Sequence, residues 1–448
     1  MAVIADRCPH VQVKVVDLNA ERIAAWNATD LSQLPVYEPG LDAVVRRARG
    51  RNLHFTTEVE VAISEADLVF ISVNTPVKQK GQGAGMACDL KWVESSARTV
   101  AKAAKGHTIV VEKSTLPVRT AEVIQQILSA SEGHATFSVL SNPEFLAEGT
   151  AVDDLEVPDR VLIGGQDPPA IEALAEIYRQ WVPAERILTT NLWSSELAKL
   201  TANAFLAQRI SSINGIAALC EATGADVRDV AKAIGTDSRI GAKFLQAGPG
   251  FGGSCFQKDI LNLVYLCRHN GLDEVASYWE QVVTLNTWQQ HRIARLVVTK
   301  LFGTVSGKRI GVLGFAFKAD TNDTRDSPAI RICRDLLEEG AILQILDPKV
   351  SEQQMAMDLG QASFKTGRSN GLPTDGAWYQ VTDMDQAASG ADALLLLTEW
   401  EQFAQIDWPR VAEVMRRPAW LFDARAKADA ADALAAGLKV WFIGKADY

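Results

Sequence analysis

Apolar and polar residues recur with two different periods along roughly the first 190 residues. Short runs rich in Val, Ile and Phe are typical of strands, and the segments between them follow the period of about 3.6 residues expected of amphipathic helices. Repeated alternation of strand and helix predicts a mostly parallel sheet covered by helices on both faces. The predicted strands are Val11–Val16, Leu53–Thr56, Leu68–Val73, Thr108–Val111, Phe137–Leu140 and Arg160–Ile163, and the predicted helices are Ala20–Asn27, Leu41–Arg49, Leu90–Ala104 and Thr120–Ala130.

The pattern then becomes helical only. The stretch from Ser194 to Thr223 contains no proline and predicts one long helix. Ser194 or Ser195 is predicted to cap its start, and Gly224 suits the left-handed position just past its end. Shorter helices are predicted over Asp226–Ile234, Asp259–His269 and Glu274–Phe302.

A second alternating block begins at Lys308. It predicts a fold class of α/β type, in which two Rossmann-like doubly wound domains are joined by an all-helical central domain with a long helix. The predicted domains are residues 1–192, 193–305 and 306–448. The elements predicted in the last domain are a strand with a glycine turn at Ile310–Lys318, a helix at Ala329–Glu339, and strands at Ile342–Leu346, Ala391–Leu397, Trp420–Phe422 and Val440–Ile443.

Composition narrows the class of protein. The chain has 448 residues, 47% hydrophobic and 22% charged, which is ordinary for a globular protein and excludes disordered or collagen-like chains. Its formal net charge of −10 argues against nucleic acid or an acidic membrane as the general partner, although local basic sites for anionic ligands remain open. No run approaches about eighteen apolar residues, so no transmembrane helix is predicted.

The cysteines predict reduced thiols. None of the six forms a C-x-x-C pair and the six histidines are scattered, so we expect neither a metal site nor a disulfide framework, and we expect a cytoplasmic protein. The residues after Met1 do not have the pattern of a signal peptide.

The strongest local motif is GFGGSCFQKD, residues 250–259. Its glycines allow a ligand to approach the backbone closely, and Cys255 stands at a predicted helix start, where the helix dipole and Lys258 favour the thiolate. Asp259, four residues later, could orient a base or a water molecule. The alternative is a buried structural cysteine, which suits Cys88, Cys220, Cys267 and Cys333; for Cys255 the local chemistry favours a nucleophile.

Lys199 and Asn203 stand four residues apart on the long helix, so they share one face. On a solvent face they would be an ordinary polar pair. Here they are surrounded by apolar residues, which predicts that this face points inward. A partly buried lysine can serve as acid or base, and an asparagine can donate to an oxyanion.

Polar residues follow several predicted strands directly, where ligands of open α/β sheets bind. Asp17 ends the first predicted strand and could hold an adenosine ribose, or it could cap the next helix. Glu144 and Glu148 follow another strand, or they are part of a helix surface. The segments at 73–76 and 113–115 also follow strands.

The turn Gly311–Phe317 has a predicted strand–turn–helix context, but its spacing does not fit the G-x-G-x-x-G turn of dinucleotide-binding domains. Nearby Lys318 and Arg325 suit a diphosphate or a sugar better. A glycine fingerprint is expected about twenty to thirty residues before Asp17, and the chain begins too late to contain it. We therefore expect that the sequence as written lacks a first strand, more consistent with a late start codon than with a natural product, and that Ala2–Ala5 is the back half of the following helix.

Taken together, the motifs resemble the UDP-glucose 6-dehydrogenase family in its animal and plant form. The similarity spans nearly the whole chain and is dense, which makes it specific. The matching strings are VYEPGL, FISVNTP, EKST, LSNPEFLAEGT, PDRVLIGG, WSSEL, ANAFLAQRISSIN, ALCEATGADV, GFGGSCFQKD, LNLVYLC and LGFAFK.

The resemblance implies a four-electron oxidation of UDP-glucose to UDP-glucuronate with two NAD⁺. Cys255 matches the cysteine that forms a thiohemiacetal and then a thioester, which is hydrolysed. Lys199 and Asp259 match the acid/base and water-organising pair, and Asn203 matches the oxyanion partner. Glu144 matches the glutamate of the hydrolytic step, and Thr115 matches a residue that positions water.

The resemblance also implies binding residues and a homo-oligomer built from dimers around the long helix, with hexamers expected in this branch. For NAD the implied residues are Asp17, Arg22, Val73, Asn74, Thr75, Pro76, Val77, Ser114, Thr115, Leu116, Glu148, Cys255, Phe256, Gln257, Lys258 and Arg325. For the UDP-sugar they are Glu144, Phe145, Leu146, Ala147, Glu148, Lys199, Leu200, Thr201, Ala202, Asn203, Gln246, Ala247, Gly248, Pro249, Gly250, Phe251, Gly252, Phe317, Lys318 and Arg425, with Arg239 supplied by a neighbouring subunit.

Three positions depart from the family pattern: Gln246 replaces Lys or Asn, Pro249 replaces a small or β-branched residue, and Ala424 replaces the glycine before Arg425, which affects the reach of that arginine. These three departures and the missing glycine fingerprint leave two hypotheses open. The chain is a dehydrogenase, or it is a catalytically silent UDP-sugar-binding or hetero-oligomer subunit. The full set of implied catalytic residues favours the enzyme.

Overall fold

The computed structural model describes residues 1–131, 133–364 and 376–446. The chain divides into two compact units. The first holds Met1–Ala202 with Leu261–Leu272, and the second holds Asn203–Ile260 with the chain from Asp273 onward. The boundaries of the three predicted domains stay predictions.

Short parallel strands alternate with helices in the first unit, as the pattern predicts. The strands are β1 (Val13–Val16), β2 (Leu53–Thr56), β3 (Leu68–Ile71), β4 (His107–Glu112), β5 (Thr136–Ser141), β6 (Val161–Gly164) and β7 (Ile187–Thr190). The helices are α1 (Ala2–Arg7), α2 (Ala20–Asn27), α3 (Leu41–Ala48), α4 (Val59–Ser64), α5 (Lys91–Ala103), α6 (Thr120–Ser129), α7 (Ala151–Glu156) and α8 (Pro168–Arg179), with 3₁₀ turns at Leu31–Gln33 and Ala184–Arg186. The hydrophobic pattern does not predict β7, because that strand is short and half polar.

The strands of the first unit form two sheets. β1 pairs in parallel with β2, and the other sheet has the order β3-β4-β5-β6-β7. Its pairs are parallel apart from a single antiparallel contact of β5 with β6, at Ser141 and Gly164. Within the described ranges β1 pairs only with β2, and β3 only with β4.

The middle of the chain is helical, as predicted. It contains α9 (Leu192–Thr223), α10 (Val227–Gly235), α11 (Phe256–His269) and α12 (Asp273–Lys300). The predicted cap of α9 is wrong: the helix begins two residues earlier, and the Asn191 side chain accepts the N–H of Ser194 at 2.8 Å. Ser195 is fully buried instead. Gly224 adopts φ 84° past the helix end, as predicted.

The C-terminal part is a six-stranded parallel sheet in the order β10-β9-β8-β11-β12-β13. That order reverses at β8, which makes the sheet doubly wound and confirms the predicted fold class. The strands are β8 (Arg309–Leu313), β9 (Ile342–Leu346), β10 (Ala377–Gln380), β11 (Ala393–Leu396), β12 (Trp420–Asp423) and β13 (Lys439–Phe442). The helices are α13 (Pro328–Glu338), α14 (Glu352–Leu359), α15 (Met384–Ala388), α16 (Trp408–Val414) and α17 (Ala430–Ala435), with a 3₁₀ turn at Glu401–Ala404.

This sheet is apolar on both faces, because helices cover both. Trp378, Phe315 and Phe422 are among its fully buried side chains, and the same core continues into α12 through Ile293 and Val297. The run at Ala377–Gln380 is too short and mixed to predict β10. A strand core of this kind makes the positions of its ends rigid.

Two buried glutamates fix the segment that connects β4 to α6. Glu196 of α9 is 3% exposed and accepts the N–H groups of Arg119 and Ala121, each at 2.7 Å. Glu112, at the end of β4, is 2% exposed and contacts Glu196. Burial, and then the charge of Glu196, raise the pKa of Glu112 well above its usual value, so the pair holds a proton between its two carboxyl groups.

Replacing Glu112 by Gln removes this titration and keeps a donor towards Glu196. Because the folded Glu112 keeps its proton above the pH at which the unfolded chain loses it, wild-type stability falls as pH rises from about 4.5 through the raised folded pKa. We therefore expect the melting temperature of Glu112→Gln, relative to wild type, to increase between about pH 5.5 and pH 8. Differential scanning fluorimetry measures this.

Glu122 of α6, which is half-exposed and pairs with Arg119 at 3.2 Å, is the matched control. Glu122→Gln is expected to differ from wild type by a constant amount over the same range. A constant difference for Glu112→Gln as well would contradict the shared proton.

Candidate active site

Two loops at the ends of neighbouring strands are joined in the first unit. The Ser114 hydroxyl after β4 accepts the N–H of Val73 at 2.9 Å and donates to the carbonyl oxygen of Val73 at 2.8 Å. The Thr75 hydroxyl donates to the carbonyl oxygen of Thr115 at 3.2 Å. The predicted cofactor segments at 73–77 and 114–116 therefore meet at one edge of the sheet, which sequence spacing alone could not show.

Asp17 directly follows β1, and its side chain is 38% exposed. It accepts the N–H of Asn19 at 2.9 Å, and Arg22 lies 3.8 Å from its other carboxylate oxygen. The cap of α2 is Asn19, whose side chain accepts the N–H of Arg22. The alternative that Asp17 caps this helix is therefore wrong, and its carboxylate retains a face towards solvent at the strand end.

Glu144 and Lys199 form an ion pair with an N–O distance of 3.1 Å. Lys199 is 3% exposed, so the prediction that its helix face points inward is confirmed. The second carboxylate oxygen of Glu144 accepts the N–H of Leu146 at 2.7 Å. Residues 142–147 are not helical, so the helix-surface alternative for Glu144 is wrong. The ion pair thus joins a buried lysine of α9 to a half-buried carboxylate of the loop after β5.

Side chains that the sequence does not single out hold this loop. Glu38 accepts the N–H groups of Gly149 at 3.0 Å and Ala151 at 2.7 Å. The guanidinium of Arg160 lies 3.7 Å from the ring centre of Phe145, and the ammonium of Lys199 lies 5.5 Å from it. Glu38 and Arg160 occur in the quoted strings VYEPGL and PDRVLIGG, but nothing in those strings indicates which residues they contact. Glu38 reaches Gly149 and Ala151 from more than a hundred residues away.

In the second unit, α11 begins at Phe256, directly after Cys255. The Cys255 carbonyl oxygen accepts the N–H of Asp259 at 2.9 Å, so this residue occupies the helix N-terminus as predicted. The other five cysteines are buried and Cys255 is only half-buried. Burial raises the pKa of four of them, Cys8, Cys220, Cys267 and Cys333, which keeps those thiols protonated.

Asp259 is completely buried and lies between two polar side chains. Asn203 donates to one of its carboxylate oxygens at 2.6 Å, and the Lys258 ammonium lies 3.3 Å from the other. Asn203 is 6% exposed. This network places a donor amide, a carboxylate and a cation beside the first turn of α11.

The glycine loop ahead of Cys255 lies against Phe317 and Arg425. A β-carbon at Gly252 would come within 3.0 Å of the Phe317 side chain, and one at Gly248 within 3.5 Å of the Arg425 guanidinium. Arg425 also donates to the carbonyl oxygen of Phe317 at 3.0 Å. Ala424, which replaces the usual glycine, is fully buried and leaves Arg425 able to reach this position.

The turn after β8 already has its N–H groups occupied. Asp347 accepts the N–H of Phe315 at 2.7 Å and that of Ala316 at 3.0 Å, and a β-carbon at Gly314 would lie 2.3 Å from Thr398. The strand and the later helix are as predicted, since β8 ends at Leu313 and α13 begins at Pro328, and residues 314–327 between them are not helical. The protein's own carboxylate therefore takes the place that a ligand phosphate would need in a dinucleotide turn.

Of three predicted cationic residues, Arg239 and Arg325 are exposed and Lys318 is half-buried. Arg239 follows α10 and pairs with Asp237 at 2.6 Å, and its side chain is 86% exposed. Arg325 pairs with Asp323. The Lys318 ammonium lies 5.7 Å from the Phe317 ring centre. Arg209 of α9, which the sequence does not single out, donates to three carbonyl groups at residues 240, 241 and 243 and so fixes the loop that carries Arg239.

Across the residues that the structure covers, no group of three or more His, Cys, Asp or Glu side chains could hold a metal ion. None of the helices in those ranges combines the length and the apolar character that crossing a membrane requires.

Family models match three consecutive parts of the chain. Residues 1–182 match the NAD binding domain of the UDP-glucose/GDP-mannose dehydrogenase family, residues 193–288 its central domain, and residues 311–430 its UDP binding domain.

Curated relatives match over nearly the full length. The chain is 54% identical to UDP-glucose 6-dehydrogenase 5 of Oryza sativa subsp. japonica and to UDP-glucose 6-dehydrogenase 1 of Glycine max, and each match covers 99% of this chain and 94% of the relative.

Among solved structures, a UDP-glucose dehydrogenase from Pyrobaculum islandicum superimposes with a TM-score of 0.83 at 30% identity, over 99% of this chain and 94% of that one. A UDP-D-ManNAc dehydrogenase from Pyrococcus horikoshii superimposes with a TM-score of 0.80 at 24% identity, over 99% of this chain and 96% of that one, and shares the fold. The resemblance predicted from the sequence is confirmed: the chain belongs to the UDP-glucose/GDP-mannose dehydrogenase family.

Proposed function

We propose that this chain oxidises UDP-glucose to UDP-glucuronate with NAD. The observation that carries the proposal is the 54% identity to plant UDP-glucose 6-dehydrogenases over 99% of the chain. It extends across both the part that matches the NAD binding domain and the part that matches the UDP binding domain. The same similarity favours the enzyme over a catalytically silent subunit, because Cys255, Lys199, Asn203, Asp259 and Glu144 are all present.

The residues at the strand ends fit a dinucleotide. Asp17 presents a carboxylate at the carboxyl end of β1, where it can accept both ribose hydroxyls and would repel a 2′-phosphate. Ser114, Thr115 and Val73 border the next strand ends, and we assign them with Asn74–Val77, Leu116, Arg22, Glu148, Phe256–Lys258 and Arg325 to the cofactor. When bound, NAD⁺ supplies the acceptor for each hydride.

The proposed chemistry at this chain's residues has two oxidations. In the first, a base takes the proton of the C6 hydroxyl as a hydride leaves C6, which gives an aldehyde. The Cys255 thiolate then attacks the C6 carbon, and its oxyanion is stabilised by donors such as Asn203 and the Lys199 ammonium. A second hydride leaves C6 and the product is a thioester on Cys255.

Hydrolysis completes the proposed reaction. Water attacks the thioester carbon, the Cys255 thiolate leaves, and a proton passes to a carboxylate. Glu144 and Asp259 are the carboxylates we assign to this step, with Thr115 positioning water and Lys199 as the acid and base. For the UDP-sugar we assign Phe145–Ala147, Leu200–Ala202, Gln246–Gly252, Phe317, Lys318 and Arg425, with Arg239 from a neighbouring subunit.

We further propose a homo-oligomer built from dimers, with hexamers as the larger assembly. Helices α9 and α12 carry exposed apolar side chains within the second unit: Phe205, Leu219 and Tyr278 are 55%, 58% and 54% exposed. The rings of Phe205 and Trp279 contact each other with centres 5.4 Å apart, so α9 and α12 share an apolar patch at this point. Exposed apolar side chains on two neighbouring helices favour contact with a second copy of the chain over contact with water. The free cysteines support a cytoplasmic location.

Replacing Cys255 by Ser tests the nucleophile. A serine hydroxyl is a much weaker nucleophile than a thiolate and forms no thioester, so sustained UDP-glucuronate formation should fall by about a thousandfold or more. Product quantified by ion-exchange chromatography, alongside NADH absorbance, measures this. Cys267→Ala, on the helix that directly follows Cys255, is the control and should retain turnover per folded molecule. Turnover by Cys255→Ser near the wild-type rate would refute the role.

Replacing Asp17 by Asn tests the cofactor assignment. Loss of charge-assisted hydrogen bonds to the ribose is expected to raise the KM for NAD by about tenfold, with a smaller effect on kcat and a weaker preference for NAD over NADP. Steady-state kinetics with both cofactors measure this. Glu21→Gln, in the first turn of α2, is the matched surface control. If both variants show the wild-type KM for NAD, Asp17 does not hold the ribose.

Replacing Phe205 and Leu219 together by Asp tests the oligomer. Charges on the proposed contact surface should convert the assembly to monomers, which light scattering coupled to size-exclusion chromatography detects. Leu434→Asp, at an exposed position of α17, should leave the mass unchanged. An unchanged mass for the double variant would exclude this surface as the dimer contact.

A further inference from the structure

The glycine loop ahead of Cys255 is held by buried amide side chains. Because residues 248–253 contain four glycines, the loop has few side chains of its own to fix its path. Asn214 of α9 accepts the N–H of Gly248 at 2.8 Å, and Gln289 of α12 donates to the carbonyl oxygen of Gly248 at 2.9 Å. Neither amide has any solvent exposure.

Asn286 of α12 engages both polar groups of one loop residue. Its side-chain oxygen accepts the N–H of Phe251 at 2.8 Å, and its side-chain nitrogen donates to the carbonyl oxygen of Phe251 at 3.0 Å. Asn286 is 2% exposed and Phe251 is 5% exposed, so water cannot replace either bond. One amide therefore pairs with the Phe251 backbone as a neighbouring strand would.

The conformation of Gly250 depends on the same amide. Its φ of 130° lies in the region that side chains rarely adopt, and a β-carbon there would lie 2.6 Å from the Asn286 side-chain oxygen. The glycine and the asparagine thus require each other: the loop comes this close to α12 only because it has no side chain at this position.

The opposite side of the loop is held by the segment after β8. Gly253 donates its N–H to the carbonyl oxygen of Arg325 at 2.7 Å, and a β-carbon at Gly252 would lie 2.5 Å from the carbonyl oxygen of Asp326. Fixed from both sides, the loop leaves little freedom to Cys255, which follows two residues after Gly253.

We propose that Asn286 is a positioning residue that sets the place of Cys255 and of the loop peptides by pairing with the backbone of Phe251. The proposal rests on the proposed function for its kinetic consequence. Its structural content does not depend on that function, since the position of the thiol can be measured by its reactivity.

The informative substitution is Asn286→Asp, which has nearly the same shape. A deprotonated aspartate still accepts the N–H of Phe251, but its second oxygen faces the Phe251 carbonyl oxygen with no proton between them. A protonated aspartate restores the donor. The variant's defect should therefore shrink as pH falls, because protonation rebuilds the missing bond.

Several charged groups lie on the elements around this amide. Arg331 of α13 donates to Gln290 at 3.0 Å, and it also interacts with Asp326 beside the loop. On α12 itself, His291 pairs with Asp335 at 2.6 Å and Arg292 pairs with Glu221 at 2.7 Å. All of them are present in both proteins, so the ratio of variant to wild type at each pH isolates the new aspartate.

The experiment compares Asn286→Asp with Gln344→Glu between about pH 6 and pH 8.5. Gln344 is a buried amide of β9 that donates to the carbonyl oxygen of Gln386 at 2.6 Å, far along the chain from the loop. Each variant is measured for kcat/KM with UDP-glucose and NAD, for the rate of Cys255 alkylation by iodoacetamide followed by mass spectrometry, and for melting temperature.

We expect Asn286→Asp to lose about tenfold or more in kcat/KM at high pH and to recover towards the wild-type value as pH falls. The rate at which its Cys255 is alkylated should differ from the wild-type rate at high pH. As pH falls, that rate should return to the wild-type value together with kcat/KM. Gln344→Glu should lower the melting temperature but leave both ratios within about twofold of wild type. A loss that is independent of pH, or equal for the two variants, would overturn the proposal.

If Asn286→Asp yields too little folded protein, Gln289→Glu takes its place, because it removes the neighbouring hydrogen bond to the Gly248 carbonyl oxygen. The same three measurements are made on it over the same pH range, with the same expected outcome. If wild type itself does not oxidise UDP-glucose, the proposed function fails while the alkylation ratio still decides whether Asn286 positions Cys255.

Discussion

The pairing of Asn286 with the backbone of Phe251 is the interaction on which the second unit's candidate site depends. A glycine loop can approach a ligand closely because it has few side chains, and for the same reason it cannot fix itself. Its peptide groups are buried, and an unpaired buried N–H or carbonyl costs on the order of 1–3 kcal/mol. Two long helices supply the missing partners through the side chains of Asn214, Asn286 and Gln289. These hydrogen bonds fix the loop and therefore the position of Cys255.

Near the strand ends, carboxylate side chains rather than amides pair with the backbone N–H groups of the loops. Glu196 accepts two N–H groups before α6, Glu38 accepts two around Gly149, and Asp347 accepts two after β8. In each case an acidic side chain from a distant part of the sequence accepts hydrogen bonds from the backbone N–H groups of a turn next to a helix or a strand. The result at Gly314 is that a turn resembling a ligand site is occupied internally, whereas the carboxylate of Asp17 after β1 stays partly open.

Much of the fold could be predicted because the two hydrophobic periods are strong in this chain. Strands such as Leu53–Thr56 and Ile342–Leu346 coincide with their predicted bounds, and α9 differs by two residues at its start. The errors have local causes. Asn191, rather than a serine, caps the start of α9. The strands β7 and β10 are only four residues long and partly polar, which leaves too few apolar residues for a hydrophobic period to be recognised.

The sequence by itself determined the fold class, the family, and the residue types that carry chemistry: a cysteine at a helix start, a lysine and an asparagine one turn apart, and a carboxylate at a strand end. These are local features, and local spacing encodes them. Only the tertiary structure decided which distant groups hold them in place. Lys199 with Glu144, Asp259 with Asn203, and Asn286 with Phe251 are contacts across dozens of residues. Burial selects such partners, because an enclosed polar group that finds a hydrogen-bond partner avoids the cost of losing its contact with water.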